Sequence, residues 1–431
     1  LLFPKTYKTW PGHVATAWKK FQDCWRKGIH NMTQTKRSRW LLLMTVFLGM
    51  LAAIAPLSTD MYLPALPSMM TAFGVTPSVI QLTLTASMTG MALGQIAVGP
   101  ISDDKGRRLP LMVGMAIFTL STVGCILSSS IAVFLLFRFI QGCAGGAGIV
   151  LSRAIARDIC KGSALTRLFA MLMLVNGIAP ILAPVIGGQI LRFAPWEGIF
   201  VLVALVGLVL TASAGIMHET LPKRRRISGG MAASLRGFAA LFRQPYFMGH
   251  CIMQCFGFAA FFSYISGSSF VFQNVYGVSA QTFSYIFGVN GIGLMIAGAV
   301  TGRMTGRVAD WKLLCSALLL AAVGSVLLLA SFWWDLPLPI VIVLLFLTVS
   351  PLAMMSTSSF SMAMQDQGRN AGSASALIGF FSMISGAVMA PVVGIAGDHT
   401  AIPMGIVMVI GEIGALLTFY ALIYPRHRKE R

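Results

Sequence analysis

Residues Gly99-Pro100-Ile101-Ser102-Asp103-Asp104-Lys105-Gly106-Arg107-Arg108-Leu109-Pro110-Leu111 form a charged, turn-forming segment caught between two long apolar runs. Asp103, Asp104, Lys105, Arg107 and Arg108 crowd into positions 103–108 of a chain that is only 10% charged. Soluble proteins carry about 25% charged residues. Here 56% of the 431 residues are hydrophobic and the mean hydropathy is +0.80. The flanking runs therefore read as membrane spans, and the charged segment marks a place where the chain turns back at a membrane face.

Working outward, apolar runs of about 20 residues recur at Trp40–Leu66, Ser78–Val98, Leu109–Ser129, Ser130–Arg157, Leu165–Leu191, Trp196–Met217, Tyr246–Val275, Gln281–Gly302, Leu313–Trp334, Leu338–Met364, Gly372–Ala396 and Ile402–Tyr424. The expectation is an all-α integral membrane protein with twelve transmembrane helices. A basic loop, 218–244, separates two six-helix halves, 40–217 and 245–424, flanked by a basic extension, 1–39, and a basic tail, 425–431.

The net charge of +19 invites a nucleic-acid reading. Its placement excludes one. Lys105, Arg107, Arg108, Arg157, Lys161, Arg167, Lys223, Arg224, Arg225, Arg226, Arg236, Arg243, Arg303, Arg307, Lys312 and Arg369 fall on alternate connections, and the other face keeps Arg192. That asymmetry predicts that both termini are cytoplasmic, with the basic excess facing anionic lipid. Residues 1–31 hold Trp10, Trp18 and Trp25 but no apolar core. They read as an extension upstream of a start at Met32, or as a membrane-surface segment.

The seven cysteines fall mostly within spans. Cys251 and Cys255 lack His or carboxylate partners at helical spacing, so no metal site and no disulfide is expected. No phosphate-binding Gly-x4-Gly-Lys-Ser/Thr loop occurs. No cofactor is expected, and neither ATP-driven pumping nor enzymatic activity is supported.

Four further segments narrow the reading: Ala55-Pro56-Leu57-Ser58-Thr59-Asp60-Met61-Tyr62-Leu63-Pro64-Ala65-Leu66-Pro67; Phe137-Arg138-Phe139-Ile140-Gln141-Gly142; Asn176-Gly177-Ile178-Ala179-Pro180 with Pro184, Gly187 and Gly188; and Arg369-Asn370-Ala371-Gly372-Ser373-Ala374-Ser375-Ala376. With the Gly99–Leu111 loop, the chain from about Trp40 to Tyr424 resembles the major facilitator superfamily, in its Bcr/CflA branch of drug:proton antiporters. The resemblance implies an inner-membrane carrier, expected to be monomeric. It would exchange protons for small amphipathic compounds, antibiotics such as bicyclomycin or chloramphenicol, or related metabolites. It implies a cytoplasmic gate at Asp103, Gly106, Arg107, Arg108 and Asp158, with Asp103 at the amino end of the eleventh helix. It also implies an antiporter motif at Gly177, Pro180, Pro184, Gly187 and Gly188. An uptake symporter is the alternative, and a non-transporting receptor or scaffold a more remote one.

Independently of any family, an aspartate within a span must pair, face water or take a proton. Asp60 is therefore the candidate for proton coupling, unless Pro64 and Pro67 end the span and leave it at the outer interface. Arg138 keeps its charge and must face a polar interior. Asp60 lies seven residues before Pro67 and Arg138 eight after Ser130, or about 10 and 12 Å in at 1.5 Å per residue. A direct or water-bridged pair is the expectation; the alternative has Arg138 hold its own half together. Glu412 is a weaker protonatable candidate. Tyr62, Gln95, Gln141, Asn176, Gln254, Tyr264 and Asn290 are candidate substrate contacts, each equally suited to joining helices. Phe256, Phe258, Phe261 and Phe262 cluster with Tyr264 and offer an apolar wall.

Overall fold

The computed structural model describes residues 34–160, 163–226, 239, 241–367, 371–397 and 399–429. Leu1–Leu48 and Gly49–Arg431 are two compact units; every candidate site belongs to the second. Among the described residues, eleven helices are long and apolar enough to cross a membrane: Leu43–Phe73, Pro77–Lys105, Arg108–Ile126, Ile131–Ile159, Glu197–Ile216, Pro245–Val275, Ala280–Met304, Asp310–Trp333, Leu338–Met364, Ala374–Val393 and Ile402–Arg426. Between the fourth and sixth of the expected spans lies Ser163–Ile190, a 28-residue helix that falls in place as the fifth. The order of elements matches the twelve apolar runs.

Two boundaries extend well past the sequence expectation, and a third span ends as expected but with altered geometry. The first span does not end at its prolines. Its helix stops at Thr59, turns through Asp60–Tyr62, makes one 3-10 turn at Leu63–Ala65 and resumes as Leu66–Phe73. Proline tolerates the first turn of a helix because its missing N–H has no partner there anyway, so Pro64 and Pro67 restart the span. The second span continues through Pro100 to Lys105, so the turn that looked thirteen residues long is confined to Gly106 and Arg107. The seventh span is regular to Phe270 and closes with a wider turn, Val271–Val275.

Packing is set by the small residues. The second and fourth spans lie backbone to backbone. A Cβ at Gly90 or Gly94 would meet the carbonyls of Phe139 or Cys143, and one at Gly142 or Gly146 those of Ser87 or Met91. Such approach suits a membrane interior, where contact and not water exclusion holds helices together. The third span packs on the fourth and sixth, and the seventh on the tenth, eleventh and twelfth. Met253, Leu314, Leu318, Met355, Ala415 and Phe419 form a core shared by the seventh, ninth, tenth and twelfth spans. The first six spans meet the last six chiefly where the second touches the eleventh and the fifth touches the eighth.

Gly142→Ala is expected to force the second and fourth spans apart, at about 1–3 kcal/mol. A thermal-unfolding midpoint in detergent lowered by several degrees, with correct insertion, is the expected result.

Candidate functional site: a lone carboxylate at a broken helix

Asp60 lies at the break in the first span and is 7% exposed. Its backbone N–H still reaches the Pro56 carbonyl at 2.8 Å, and Thr59 Oγ1 donates to its Oδ1 at 2.8 Å. The span continues to Phe73, which removes the premise of an interfacial position. On the seventh span, Tyr264 is buried. Tyr264 accepts a hydrogen bond from Asn290 Nδ2 of the eighth span at 3.2 Å and stacks on Phe287 at 5.3 Å. Asn290 Oδ1 is buried without a hydrogen-bond partner.

Arg138 is not paired with Asp60 here. It is fully buried among the first, third, fourth and sixth spans. Its guanidinium lies 4.6 Å from the Tyr62 ring centroid and 5.7 Å from that of Phe200. Nη1 donates to Gln141 Oε1, and Gln141 Nε2 donates to Thr122 Oγ1 at 2.6 Å. Nε and Nη2 have no hydrogen-bond partner. Phe73, Phe134 and Trp196 extend the aromatic cluster. Residue counting along the spans gives a matching depth for a pair but not the direction in which the fourth span points Arg138. It points into its own bundle. Desolvated cation–π contacts contribute about 2 kcal/mol, which only partly offsets burying an unpaired cation.

Of the other candidates, Tyr62 bonds Thr83 Oγ1 at 2.9 Å and belongs, with Gln141, to the Arg138 cage. Gln254 donates to Ser359 Oγ at 3.2 Å, within the last six spans. Gln95 is half-buried on the second span. The Asn176 side chain lies outside the described residues. Glu412 is buried on the twelfth span, next to Gly411, which packs on the seventh. The antiporter segment is a continuous helix through Pro180 and Pro184. Gly187 lies against the Met61 carbonyl, beside Asp60, and Gly188 against Ser284 of the eighth span. Gly177 faces Met295 at ordinary contact distance.

At the Gly99–Leu111 turn, Arg107 Nη1 donates to Asp103 Oδ1 and to Ser102 Oγ, each at 2.6 Å, and Nε to Asp158 Oδ2 at 3.0 Å. Asp103 therefore engages Arg107 one turn on; the expected contact with the amino end of the eleventh helix falls at residues 368–370, outside the described residues. Glu219, which sequence reading passed over, completes this cluster. Its carboxylate accepts from the Arg107 N–H at 2.8 Å and the Arg108 N–H at 3.3 Å. One signal was available: Glu219 is the sole acid in the basic segment 218–244.

Hydrogen bonds between the first and last six spans gather on the face opposite this turn. Ser269 Oγ donates to the Leu63 carbonyl at 2.6 Å and Gln273 Nε2 to the Pro64 carbonyl at 3.1 Å. Ser78 and Thr85 donate to the carbonyls of Pro391 and Ala387 at 2.9 and 2.6 Å. Gln81 donates to the Ser266 carbonyl and Gln281 to that of Gly188, each at 3.0 Å. The face opposite the basic loops is thus sealed by neutral bonds to backbone oxygen. A cavity of about 280 Å³ opens beyond the seal, lined in part by Ser68, Trp196, Gln273 and Gln281.

Comparison with known proteins fits this architecture. Residues 48–391 match the family model described as Major Facilitator Superfamily. An uncharacterized MFS-type transporter of Bacillus subtilis (strain 168) is 38% identical over 401 residues, 92% of this chain and 98% of that protein. A bicyclomycin resistance protein homolog of Haemophilus influenzae is 31% identical over 397 residues, 92% and 99% of the two chains. Multidrug resistance protein D of Escherichia coli (strain K12) is 29% identical over 249 residues, 57% and 61%. Among solved structures, a D-xylose–proton symporter superposes with a TM-score of 0.73 at 14% identity, covering 89% of this chain and 98% of the other. The protein is a multi-pass membrane transporter. It belongs to the Major Facilitator Superfamily, in its Bcr/CflA branch.

Two outcomes are expected at this site. Arg138→Ala should cut transport severely and lower the unfolding midpoint, with Arg138→Lys restoring part of each, because an ammonium cannot both stack on Tyr62 and bond Gln141. Thr85→Val should leave the Ala387 carbonyl unmet and loosen the seal, at about 1 kcal/mol, read as faster amide hydrogen exchange around residues 385–393.

Proposed function

We propose that this carrier exports small amphipathic compounds in exchange for protons across the bacterial cytoplasmic membrane, with both termini and the basic loops in the cytoplasm. The observation that carries the reading is the buried Asp60 carboxylate at a break in the first span whose next turn bonds the seventh. A carboxylate there is costly when charged and inexpensive when protonated, so it can register one proton per cycle. Broken helices at membrane depth are suited to lining a site, because their freed backbone groups and side chains need polar partners. Export is favoured over uptake by the names of the relatives, which include a chloramphenicol resistance protein of Pseudomonas aeruginosa besides the bicyclomycin and multidrug resistance proteins above.

In this reading the structure is the inward-facing state. The seal at Leu63, Pro64, Ser78, Gln81 and Thr85 closes the outer mouth. Tyr264, Asn290 and Phe287 are buried together, and on parting would offer the compound an aromatic wall with one unbonded amide oxygen. A proton taken from outside at Asp60 favours this inward-facing form, and binding of the compound favours the proton's release. Uptake is kept as a second reading because the xylose–proton symporter shares the fold.

The test is flux in inside-out vesicles carrying the full chain, with chloramphenicol and bicyclomycin as probes, with and without a proton uncoupler. Asp60→Asn should remove the pH dependence and the response to uncoupler while the protein still inserts and folds. Wild-type export with its pH dependence intact in that variant would overturn the coupling role.

A further inference from the structure

The third span begins at Arg108, and its N-cap residue, Arg107, makes no side-chain cap of its own. Pro110 has no N–H to offer. The N–H groups of Arg107 and Arg108 remain exposed donors at the positive end of a helix dipole. A carboxylate from 111 residues further along the chain meets them both: Glu219 Oε1 accepts from Arg107 and Oε2 from Arg108. Oε1 also accepts from the Leu221 N–H at 2.9 Å, and Oε2 lies 3.6 Å from Arg226 Nη2.

Gly106 makes room for this contact. Its φ is +96°, a conformation that disfavours side chains. A Cβ there would collide with Glu219 Oε2 and come within 2.6 Å of Arg226 Nη2. The surroundings close the ring: Thr220 Oγ1 donates to Asp158 Oδ2 at 3.3 Å, and Arg108 Nη2 donates to the Gly215 carbonyl.

We propose that Glu219 is a positioning residue of the transport cycle, a latch that fastens the start of the central loop to the signature turn and fixes the register in which that turn meets the last six spans. The proposal rests on the reading of the signature turn as the cytoplasmic gate. It has a mechanical corollary. Residues 218–226 then travel with the first six spans.

The latch is distinct in kind from the proton site. Burial pushes the Glu219 carboxyl up, but the N–H groups of Leu221, Arg107 and Arg108 and the Arg226 guanidinium outweigh it and hold it below the usual carboxylate range. A depressed folded-state value means that its contribution is present above the unfolded value, about 4.3, and is lost as pH falls through the folded one. The latch therefore stays charged at neutral pH.

The experiment is amide hydrogen exchange of the full chain in lipid nanodiscs, with no substrate present, comparing wild type, Glu219→Gln and Arg107→Ala. Glu219→Gln is expected to speed exchange about tenfold at residues 107–109 and 219–221, as for one lost charge-assisted bond. It is also expected to slow exchange at the remote seal, residues 63–69 and 266–273, as Arg107→Ala does: the latch is already made in this inward-facing structure, so it must contribute more in the outward-facing form, where the turn meets the last six spans. A local change alone, with the seal moved by Arg107→Ala but not by Glu219→Gln, would make Glu219 a mere cap and overturn the proposal while leaving the gate reading standing. If neither variant moves the seal, the gate reading falls and the latch with it. Should Glu219→Gln not accumulate, Glu219→Asp carries the same test, since one methylene fewer leaves the carboxylate able to reach a single N–H.

Discussion

A chain that crosses hydrocarbon must satisfy its own backbone, and wherever a span stops doing so a neighbour has to supply the bond. That constraint organises this protein. Pro67 has no N–H to give the Leu63 carbonyl, which keeps only the Leu66 N–H of the 3-10 turn until Ser269 of the seventh span adds a second bond. Pro391 has none for Ala387, and Thr85 of the second span gives it one. At the end of the fifth span Arg192 N–H turns to Gln189, and the Gly188 carbonyl takes Gln281 instead. Prolines and helix ends create acceptors on one half, and hydroxyls and amides of the other half meet them. Each such bond contributes about 1 kcal/mol net. Several together hold a closed face, and none is strong enough to keep it shut.

The charged groups are arranged on a different principle. Asp60 and Arg138 both lie at membrane depth, yet the structure keeps them in separate settings. Arg138 is sealed among Tyr62, Phe200 and Gln141 within the first six spans, whereas Asp60 sits at the break whose next turn bonds the seventh span. Tyr62 joins the two, two residues from Asp60 and under the guanidinium. The cage holds the fixed charge; the break carries the ionisable one. Asymmetry of this kind suits a carrier better than a tight ion pair would, since breaking a buried pair costs several kcal/mol in every cycle.

The fold was largely legible because periodicity and length suffice for spans: twelve apolar runs gave twelve helices in order, and Leu338–Met364 was read to the residue. Asp60 was legible as a lone acid in an apolar run. Its surroundings were not, because Pro64 and Pro67 look alike as helix stops and as helix starts, and only the backbone tells which. The direction of Arg138 was hidden for a related reason. Spacing along the fourth span gives depth, but its facing depends on helices that are distant in sequence. Glu219 escaped because capping is local in space and remote in sequence; only its isolation among basic residues hinted at it.

The seal and Asp60 are not separate modules. Asp60 begins the turn whose next carbonyls, Leu63 and Pro64, receive the bonds of Ser269 and Gln273, and Gly187 brings the fifth span onto the Met61 carbonyl between them. The segment from Asp60 to Pro64 is too short to absorb a change at one end without moving the other. If Asp60 takes the proton, as proposed, its loss leaves a charge that must turn toward water or a polar partner, and the backbone that holds the seal turns with it. Proton occupancy and closure would then be two readings of one short element. A compound resting on Tyr264 and Asn290 would press on that element from the seventh and eighth spans, the same spans that supply Ser269, Gln273 and Gln281 to the seal.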